Sequence, residues 1–507
     1  MIGAAHILSF LMGFLSLSQE ILWVRMASFS YAGAPQAFGI ILAIYLLGIA
    51  LGANWGKRYC ASGGNLYAIA AGVLLFAAVM DMAMPWLVVY SFGGSTASGT
   101  NMMMVCVLLT AALKSIVFPL AHHLGSSASA GTVGSSVSRV YFANIAGSTL
   151  GPLVTGFVIL QYCTLQQSFA LLAGATLMTA AFCWLAAGGR LAFPALAGSA
   201  GLAAGFIVAV PPVMLSTLIN NHQQGALSFK EAVENRYGII HLMHTGSGRP
   251  DIVYGGNAYD GRINTDYMED SNLISRVYML AAVKPQPKRV LVLGMSGGSW
   301  TRVLQSFPGV EHIDVLEINP GYADIVREYE AVRPILNDPR IAMHFDDGRR
   351  WLKRHPQERY DLVVMNTTFH FRAYITMLLS QDFLQVMRQH MLPGAVLAFN
   401  STGSEDAYKT ASSVFGQVYR LRNFVVAGDA LALPEEAEIV RRLGPLIDVS
   451  QADVLAKIHA DLAYFTAFDE AQAAQAAGRP LEIITDQNMV TEYKYGAPLL
   501  RTLGWVQ

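Results

Sequence analysis

The sequence predicts a multi-pass α-helical membrane domain followed by a Rossmann-like α/β domain with a small N-terminal β cap. Three observations predict it. Charge is concentrated in the second half: residues 1–213 hold 6 basic and 2 acidic side chains out of totals of 34 and 35. Apolar runs fill the first half at membrane-spanning length, about 20 residues for a hydrocarbon core roughly 30 Å thick. From residue 289 short apolar runs alternate with helical stretches, the pattern of a parallel sheet covered on both faces.

Composition narrows the function classes. A chain of 507 residues that is 53% hydrophobic and 14% charged is neither disordered nor composed like a wholly soluble protein. Its net charge of −1 gives nucleic acid no electrostatic footing. All four cysteines, Cys60, Cys106, Cys163 and Cys183, lie in the apolar half. The second half therefore has neither a disulfide framework nor a cysteine metal site, and no metal is expected. The chain divides into a membrane domain of about seven helices (1–213), a linker and β-rich cap (214–288) and a nucleoside-binding catalytic domain (289–507).

In the first part, candidate spans fall near 3–24, 35–56, 66–91, 102–124, 140–162, 166–188 and 192–213. A cleaved leader is a poor reading of the start, which lacks a basic region and runs straight into further spans. Lys57 and Arg58, Arg139 and Arg190 follow the second, fourth and sixth spans, which places those loops and the N-terminus in the cytoplasm. Seven spans then leave the soluble half outside. The nucleoside chemistry argued below requires a cytosolic co-substrate, and a cell-membrane protein with a cytoplasmic catalytic half is the expectation adopted. Glu20, Asp81 and Lys114 lie within spans. Ions in lipid are costly, so each is a functional candidate. The plainer reading is packing, with Glu20 paired to Arg25 or Lys114.

In the second part, 214–235 reads as a polar link. Tyr237–His244 and Asp251–Tyr254 read as strands of the cap. Strands are then predicted at Arg289–Leu293, His312–Glu317, Arg340–Phe345, Asp361–Met365 and Ala395–Asn400, with helices from Trp300, over 320–331 and over 379–391. In such a sheet ligands bind outside the carboxyl ends of the strands. The residues there form one set. Gly294, Gly297 and Gly298 let backbone approach a ligand. Glu317, 23 residues after Gly294, suits a ribose diol, because a carboxylate accepts from both hydroxyls. Asp347-Gly348 closes the third strand, where a carboxylate accepts from an adenine amino group. Asn366 closes the fourth, where the reacting group would sit. Strict GxGxxG spacing is absent, so S-adenosylmethionine chemistry is favoured over NAD, in a class I methyltransferase-like fold.

These residues resemble the spermidine synthase family, in particular its membrane-fused branch. In the first half, Glu20-Ile21-Leu22-Trp23-Val24-Arg25 and the run from Ala143-Asn144-Ile145 to Leu150-Gly151 carry the resemblance. In the second half, Val253-Tyr254-Gly255-Gly256 is similar to a gate strand that ends in Asp-Gly. Lys288-Arg289-Val290-Leu291-Val292-Leu293-Gly294 resembles the strand leading into the nucleoside loop. Glu317-Ile318-Asn319, Asp347-Gly348 and Tyr360-Asp361-Leu362-Val363-Val364-Met365 resemble the ribose, adenine and catalytic segments. Thr485-Asp486-Gln487-Asn488 with Glu492-Tyr493 resembles the branch's C-terminal signature, which either closes the site from below or only ends the sheet. The resemblance implies aminopropyl transfer from decarboxylated S-adenosylmethionine to an amine.

The chain departs from that pattern at the reacting centre. The family's basic aspartate is Asn366 here, and an amide takes no proton. The next acidic position is Phe369, the loop aspartate that holds the transferred amine is Gly297, and Tyr-His-Glu before the first strand becomes Asn272-Leu273-Ile274. Asn366-Thr367-Thr368-Phe369 is similar in outline to the Asn-Pro-Pro-aromatic motif of amino-group methyltransferases, without its prolines. Asn366 and His370 are the catalytic candidates, the histidine because its ordinary pKa of about 6.5 suits proton transfer. Phe369, Tyr259 and Tyr278 are the substrate-binding candidates. Arg372 reads as a partner for an anionic substrate or for Asp382, or equally as a solvated arginine. The expected co-substrate is S-adenosylmethionine or its decarboxylated form. The expected partners are the lipid bilayer, a small amine or membrane-associated acceptor, and a second copy of the chain. The alternatives are an S-adenosylmethionine-dependent N-methyltransferase, and a transporter or sensor with a non-catalytic nucleoside domain.

Overall fold

The computed structural model describes residues 2–126, 133–189, 210–223, 227–246 and 248–488, with isolated residues 198, 201 and 205. Its first half is a bundle. Helices α1 (Ile2–Ser30), α2 (Gln36–Cys60) and α3 (Leu66–Phe92) are followed by α4 (Thr96–Ser115), which runs on into α5 (Val117–Ser126). Helix α6 (Val133–Val154) continues through a π-helical turn to Tyr162, and a last helix spans Leu165–Ala186. Among the described residues six helices are long and apolar enough to cross a membrane: Gly3–Ser30, Gln36–Cys60, Leu66–Phe92, Thr96–Ser126, Gly134–Tyr162 and Leu165–Ala186. They correspond to the first six predicted runs. The seventh, 192–213, falls almost wholly outside the described residues.

Small residues set the bundle's closest crossings. A Cβ at Gly147 of α6 would lie 2.0 Å from the Phe10 carbonyl of α1, and one at Gly52 of α2 would lie 2.0 Å from the Ala112 carbonyl of α4. Backbones this close need glycine, the usual device where lipid gives helices no hydrophobic reason to associate. The run 143–151 is thus a packing motif. The ionisable residues sort differently from expectation. Lys114 pairs with Asp81 at 2.8 Å, both fully buried, rather than with Glu20. Gln19 Nε2 donates to Asp81 Oδ1 at 2.7 Å and Thr176 Oγ1 to Asp81 Oδ2 at 2.9 Å. Four helices therefore share one polar centre around Asp81. Arg25 leaves the bundle altogether, its Nη2 donating to the Asn235 carbonyl at 2.6 Å.

The stretch 214–235 is not a plain link. Met214–Gln223 is a helix, and Met214, Leu215, Leu218 and Ile219 bury one face of it. Strand β1 (Ser228–Asn235) then opens the cap, an antiparallel sheet in the order β1-β2-β3-β4 with β2 Gly238–His244, β3 Ile252–Gly255 and β4 Ala258–Arg262. Strand β2 is buried on both sides. Ile239 and Met243 join the bundle's core, whereas Ile240 and Leu242 join the core of the α/β domain. Alternate residues point to opposite faces, so one strand joins the two halves.

The α/β domain holds an eight-stranded sheet in the order β12-β10-β11-β9-β8-β5-β6-β7. Strands β5 (Arg289–Leu293), β6 (His312–Leu316), β7 (Ile341–His344), β8 (Tyr360–Met365) and β9 (Met391–Asn400) are parallel, with β5 between β6 and β8. Strands β10 (Gln417–Leu421), β11 (Phe424–Gly428) and β12 (Phe465–Ala467) extend it antiparallel. Chain order reverses between β5 and β8, and a crevice opens above their carboxyl ends.

The soluble half meets one end of the bundle. Ala373 N donates to the Gly33 carbonyl between α1 and α2, Asn221 Nδ2 to the Val89 carbonyl at the end of α3, and Leu165 N to Glu234 Oε2. Lys57 and Arg58 end α2, at the opposite end of the bundle.

Candidate nucleoside and transfer site

Two cavities occupy the crevice. The larger, of about 1030 Å³, is lined by Gly294, Glu317, Asp347, Gly348 and Asn366, the predicted strand-end set. The smaller, of about 540 Å³, is lined by Tyr259, Gly297, Asn366 and Phe369. Asp260, Ser296, Asn366, Thr367 and Thr368 line both, so the cavities meet there.

The larger cavity is built from strand ends. Gly294 has φ +83°, and a Cβ there would lie 2.7 Å from the Asn366 carbonyl. Glycine thus lets the loops after β5 and β8 touch. Glu317 follows β6 and accepts from Met295 N at 2.8 Å and Asn319 N at 2.9 Å. Each oxygen keeps a further lone pair for a ligand. Burial pushes its carboxyl up to about 7, against the pull of those amides. Asp347 caps the helix Gly348–Arg354, accepting from Arg350 N at 2.8 Å. Asp486, from the C-terminal run, also lines this cavity. It accepts from Arg349 at 2.9 and 2.7 Å and from Ser380 Oγ at 2.6 Å, and the Arg349 bonds hold it below the usual carboxylate range. That run thus contributes Asp486 to the cavity wall. Its further residues, Glu492 and Tyr493, lie outside the described ones. Ser28 and Gly33 of the bundle reach the same cavity.

Several predicted residues sit elsewhere. Gly298 lines neither cavity: it has φ +81°, and a Cβ there would come within 2.8 Å of Ile335 Cδ1, so it serves core packing. Gly297 belongs to the smaller cavity, pressed against Ile263 and Val253. Tyr278 turns away, its hydroxyl donating to the Thr265 carbonyl at 2.8 Å and its ring set edge-on to Tyr267. His370 lines neither cavity. Its Nδ1 bonds the Thr402 carbonyl at 2.9 Å, and burial holds its pKa below the ordinary value. Phe369 stacks on Phe371 and lines the smaller cavity with Tyr259. Arg372 is not paired with Asp382 but lines the larger cavity. It donates to Thr368 Oγ1 at 3.0 Å and packs against Gly33 and Gly256.

The sequence reading missed Asp260, a partly buried carboxyl on β4. The Tyr322 hydroxyl donates to its Oδ2, and Ser296 Oγ donates to its backbone carbonyl at 2.7 Å. Burial raises its pKa. A Cβ at Gly255 would lie 2.4 Å from the Tyr322 hydroxyl. The expected gate pair is thus Gly255-Gly256 because Tyr322 and Arg372 fill the space in front of it. Tyr259-Asp260-Gly261 was the available signal, but Tyr322 lies 62 positions from Asp260, beyond any local pattern.

A parallel sheet with a crevice at its switch point, glycine loop first and carboxylates on the following strand ends, defines an α/β fold of the methyltransferase-like kind. Residues 271–414 match the spermine/spermidine synthase domain. The chain thus carries a spermidine synthase-like stretch over those residues, with a helical half preceding it. A polyamine aminopropyltransferase of Agathobacter rectalis is 38% identical over 115 residues, 22% of this chain and 39% of the relative. One of Vibrio vulnificus is 26% identical over 179 residues, 33% of this chain and 58% of the relative. The chain therefore spans less than two thirds of these relatives' lengths. The crystal structure of spermidine synthase from Thermotoga maritima aligns over 55% of this chain and 88% of its own, at 14% identity and a TM-score of 0.34.

Proposed function

We propose that the chain is a membrane-embedded transferase that moves an aminopropyl-type group from decarboxylated S-adenosylmethionine, or from S-adenosylmethionine, to an amine acceptor. The observation that carries this reading is the shared wall. A cavity with carboxylates fit for ribose and adenine opens onto a second cavity at Asp260, Ser296, Asn366, Thr367 and Thr368. The family likeness supports the reaction class, and six apolar helices support membrane insertion.

The co-substrate supplies the activation, since a sulfonium is already a good leaving group. The chain's own residues hold and orient. Glu317 accepts from the ribose hydroxyls and Asp347 from the adenine amino group. Asn366, without a proton-accepting group, orients the acceptor through its amide oxygen. Asp260 is the carboxylate at the junction, and it takes the proton that the acceptor nitrogen loses as its new N–C bond forms and the C–S bond breaks. Positioning two reactants across one wall supplies most of the remaining rate.

The test incubates purified protein with labelled decarboxylated S-adenosylmethionine, S-adenosylmethionine and a panel of amines. Methylthioadenosine supports the proposal. S-adenosylhomocysteine supports methyl transfer instead. Nucleoside binding with neither product supports a sensor or transporter, a reading that the Asp81–Lys114 centre inside the bundle favours.

A further inference from the structure

The smaller cavity has the wrong charge for a polyamine. Asp260 is the one acidic residue among those that line it, and Arg262 and Arg276 are the basic ones. The Asp260 carboxyl is already bonded to the Tyr322 hydroxyl. Asp270, the carboxylate that acts on Arg276, is bonded to Lys457 at 3.0 Å. An ammonium entering here meets two guanidiniums and one engaged carboxyl, and like charges in a poorly hydrated site repel strongly.

The two arginines are held differently. Arg276 is 4% exposed, over the rings of Phe424 and Trp300. Its Nε donates to the Leu273 carbonyl at 2.9 Å and its Nη2 to the Asn272 carbonyl at 3.3 Å, with Nη1 on Asn423 Oδ1. Burial lowers its pKa to about 9, so it stays cationic at neutral pH. Arg262 holds a long bond of 3.4 Å from Nη1 to the Pro250 carbonyl, which leaves most of its donors for a ligand. Arg262 also bonds the Tyr259 hydroxyl, and Arg276 acts on that hydroxyl electrostatically, so the two side chains and the phenol face one spot. A planar fork of donors beside a phenol matches a carboxylate.

We infer that the smaller cavity is a subsite for a carboxylate-bearing tail, held by Arg262 and Tyr259 in the field of Arg276. This rests on the proposed nucleoside reading of the larger cavity. The carboxylate belongs either to the acceptor or to the amino-acid tail of an intact S-adenosylmethionine, and two titrations separate these sources. In the first, 4-aminobutyrate, putrescine and butylamine are titrated into the full-length protein, with and without methylthioadenosine. They share a four-carbon chain and an amino end and differ in the other end. In the second, S-adenosylhomocysteine is compared with its decarboxylated form.

The expected result is at least a tenfold preference for the carboxylate ligand in one of the two titrations, lost in Arg262→Gln and weakened in Tyr259→Phe. A preference in the first assigns the subsite to the acceptor, and in the second to the donor. No preference in either, a preference for putrescine, or a preference that survives Arg262→Gln overturns the inference. Failure of every nucleoside to bind overturns the nucleoside reading instead, and the amine comparison made without nucleoside still decides the charge of the subsite.

Discussion

The Tyr322 hydroxyl donates to the Asp260 carboxyl directly over Gly255, in the space a side chain at that position would fill. A partly buried carboxyl held this way, on the wall shared by two cavities, puts an acidic group at the junction, where Asn366 offers none. Asp260→Asn is expected to lower turnover about 10²- to 10⁴-fold while leaving nucleoside affinity within a few-fold. Burial raises the Asp260 pKa, and the base must be ionised to act. The wild-type rate therefore falls as pH drops through that raised value, and the variant's profile loses this limb. Unchanged turnover with an unchanged profile removes Asp260 from the mechanism.

Gly255→Ala tests the same relationship from the other side. The new methyl would lie 2.4 Å from the Tyr322 hydroxyl, so the ring must shift and Asp260 loses its donor. Overpacking of this kind costs about 1–3 kcal/mol. A denaturation midpoint and a rate both equal to wild type would contradict the contact.

Glu317 carries a pH signature in the unliganded protein. Its carboxyl rises from the ordinary 4.5 to about 7 because it is buried. The native state then holds the proton more tightly than the unfolded chain. Its contribution to stability is full below about 4.5 and is lost as pH rises through about 7, a change of up to about 3 kcal/mol. Urea titrations of wild type and Glu317→Gln are expected to diverge across that window. Nucleoside affinity runs the opposite way, strengthening as the carboxylate forms. A pH-independent stability difference would place Glu317 in a wetter environment than the one described.

The bundle makes a separate prediction. Removing one member of the buried Asp81–Lys114 pair strands the other, which costs about 3–5 kcal/mol. Lys114→Met alone should melt well below wild type in detergent, and Asp81→Asn with Lys114→Met should recover much of the loss. No drop in the single variant would argue that the pair is open to water, as in a transport path.

Sidedness is testable by cysteine labelling. The soluble half docks on the end of the bundle opposite Lys57 and Arg58, so the charge rule places it outside. Use of a cytosolic nucleoside requires it inside, and the transferase proposal predicts that result. A cysteine at Ser62, beyond the end of α2, should then react with an impermeant reagent in intact cells, and one at the exposed Tyr464 should not. The reverse pattern deprives the transferase of its donor.

Much of this was legible in the residues. Strand β5 lies where the Arg289–Leu293 run predicts it, and the set Gly294, Glu317, Asp347 and Asn366 converges on one cavity. Parallel strands buried on both faces read as continuous apolar runs, and their ends are where ligands sit. What was not legible depends on distant pairs. His370 follows Asn366 closely in sequence, yet the loop turns its ring to Thr402. Gly298 looks like its neighbours, but its left-handed turn points into the core. Met214–Gln223 carries too short an apolar stripe to stand out from a linker until α3 and β1 pack on it. Asp260 stood in a local Tyr259-Asp260-Gly261 run, but its partner Tyr322 lies 62 positions away.

The most direct test is a structure of the full chain soaked with methylthioadenosine. The account predicts its ribose hydroxyls on Glu317, its adenine beside Asp347 and its sulfur facing Asn366 and Asp260. A nucleoside bound elsewhere, or a larger cavity left empty at saturating ligand, would contradict it.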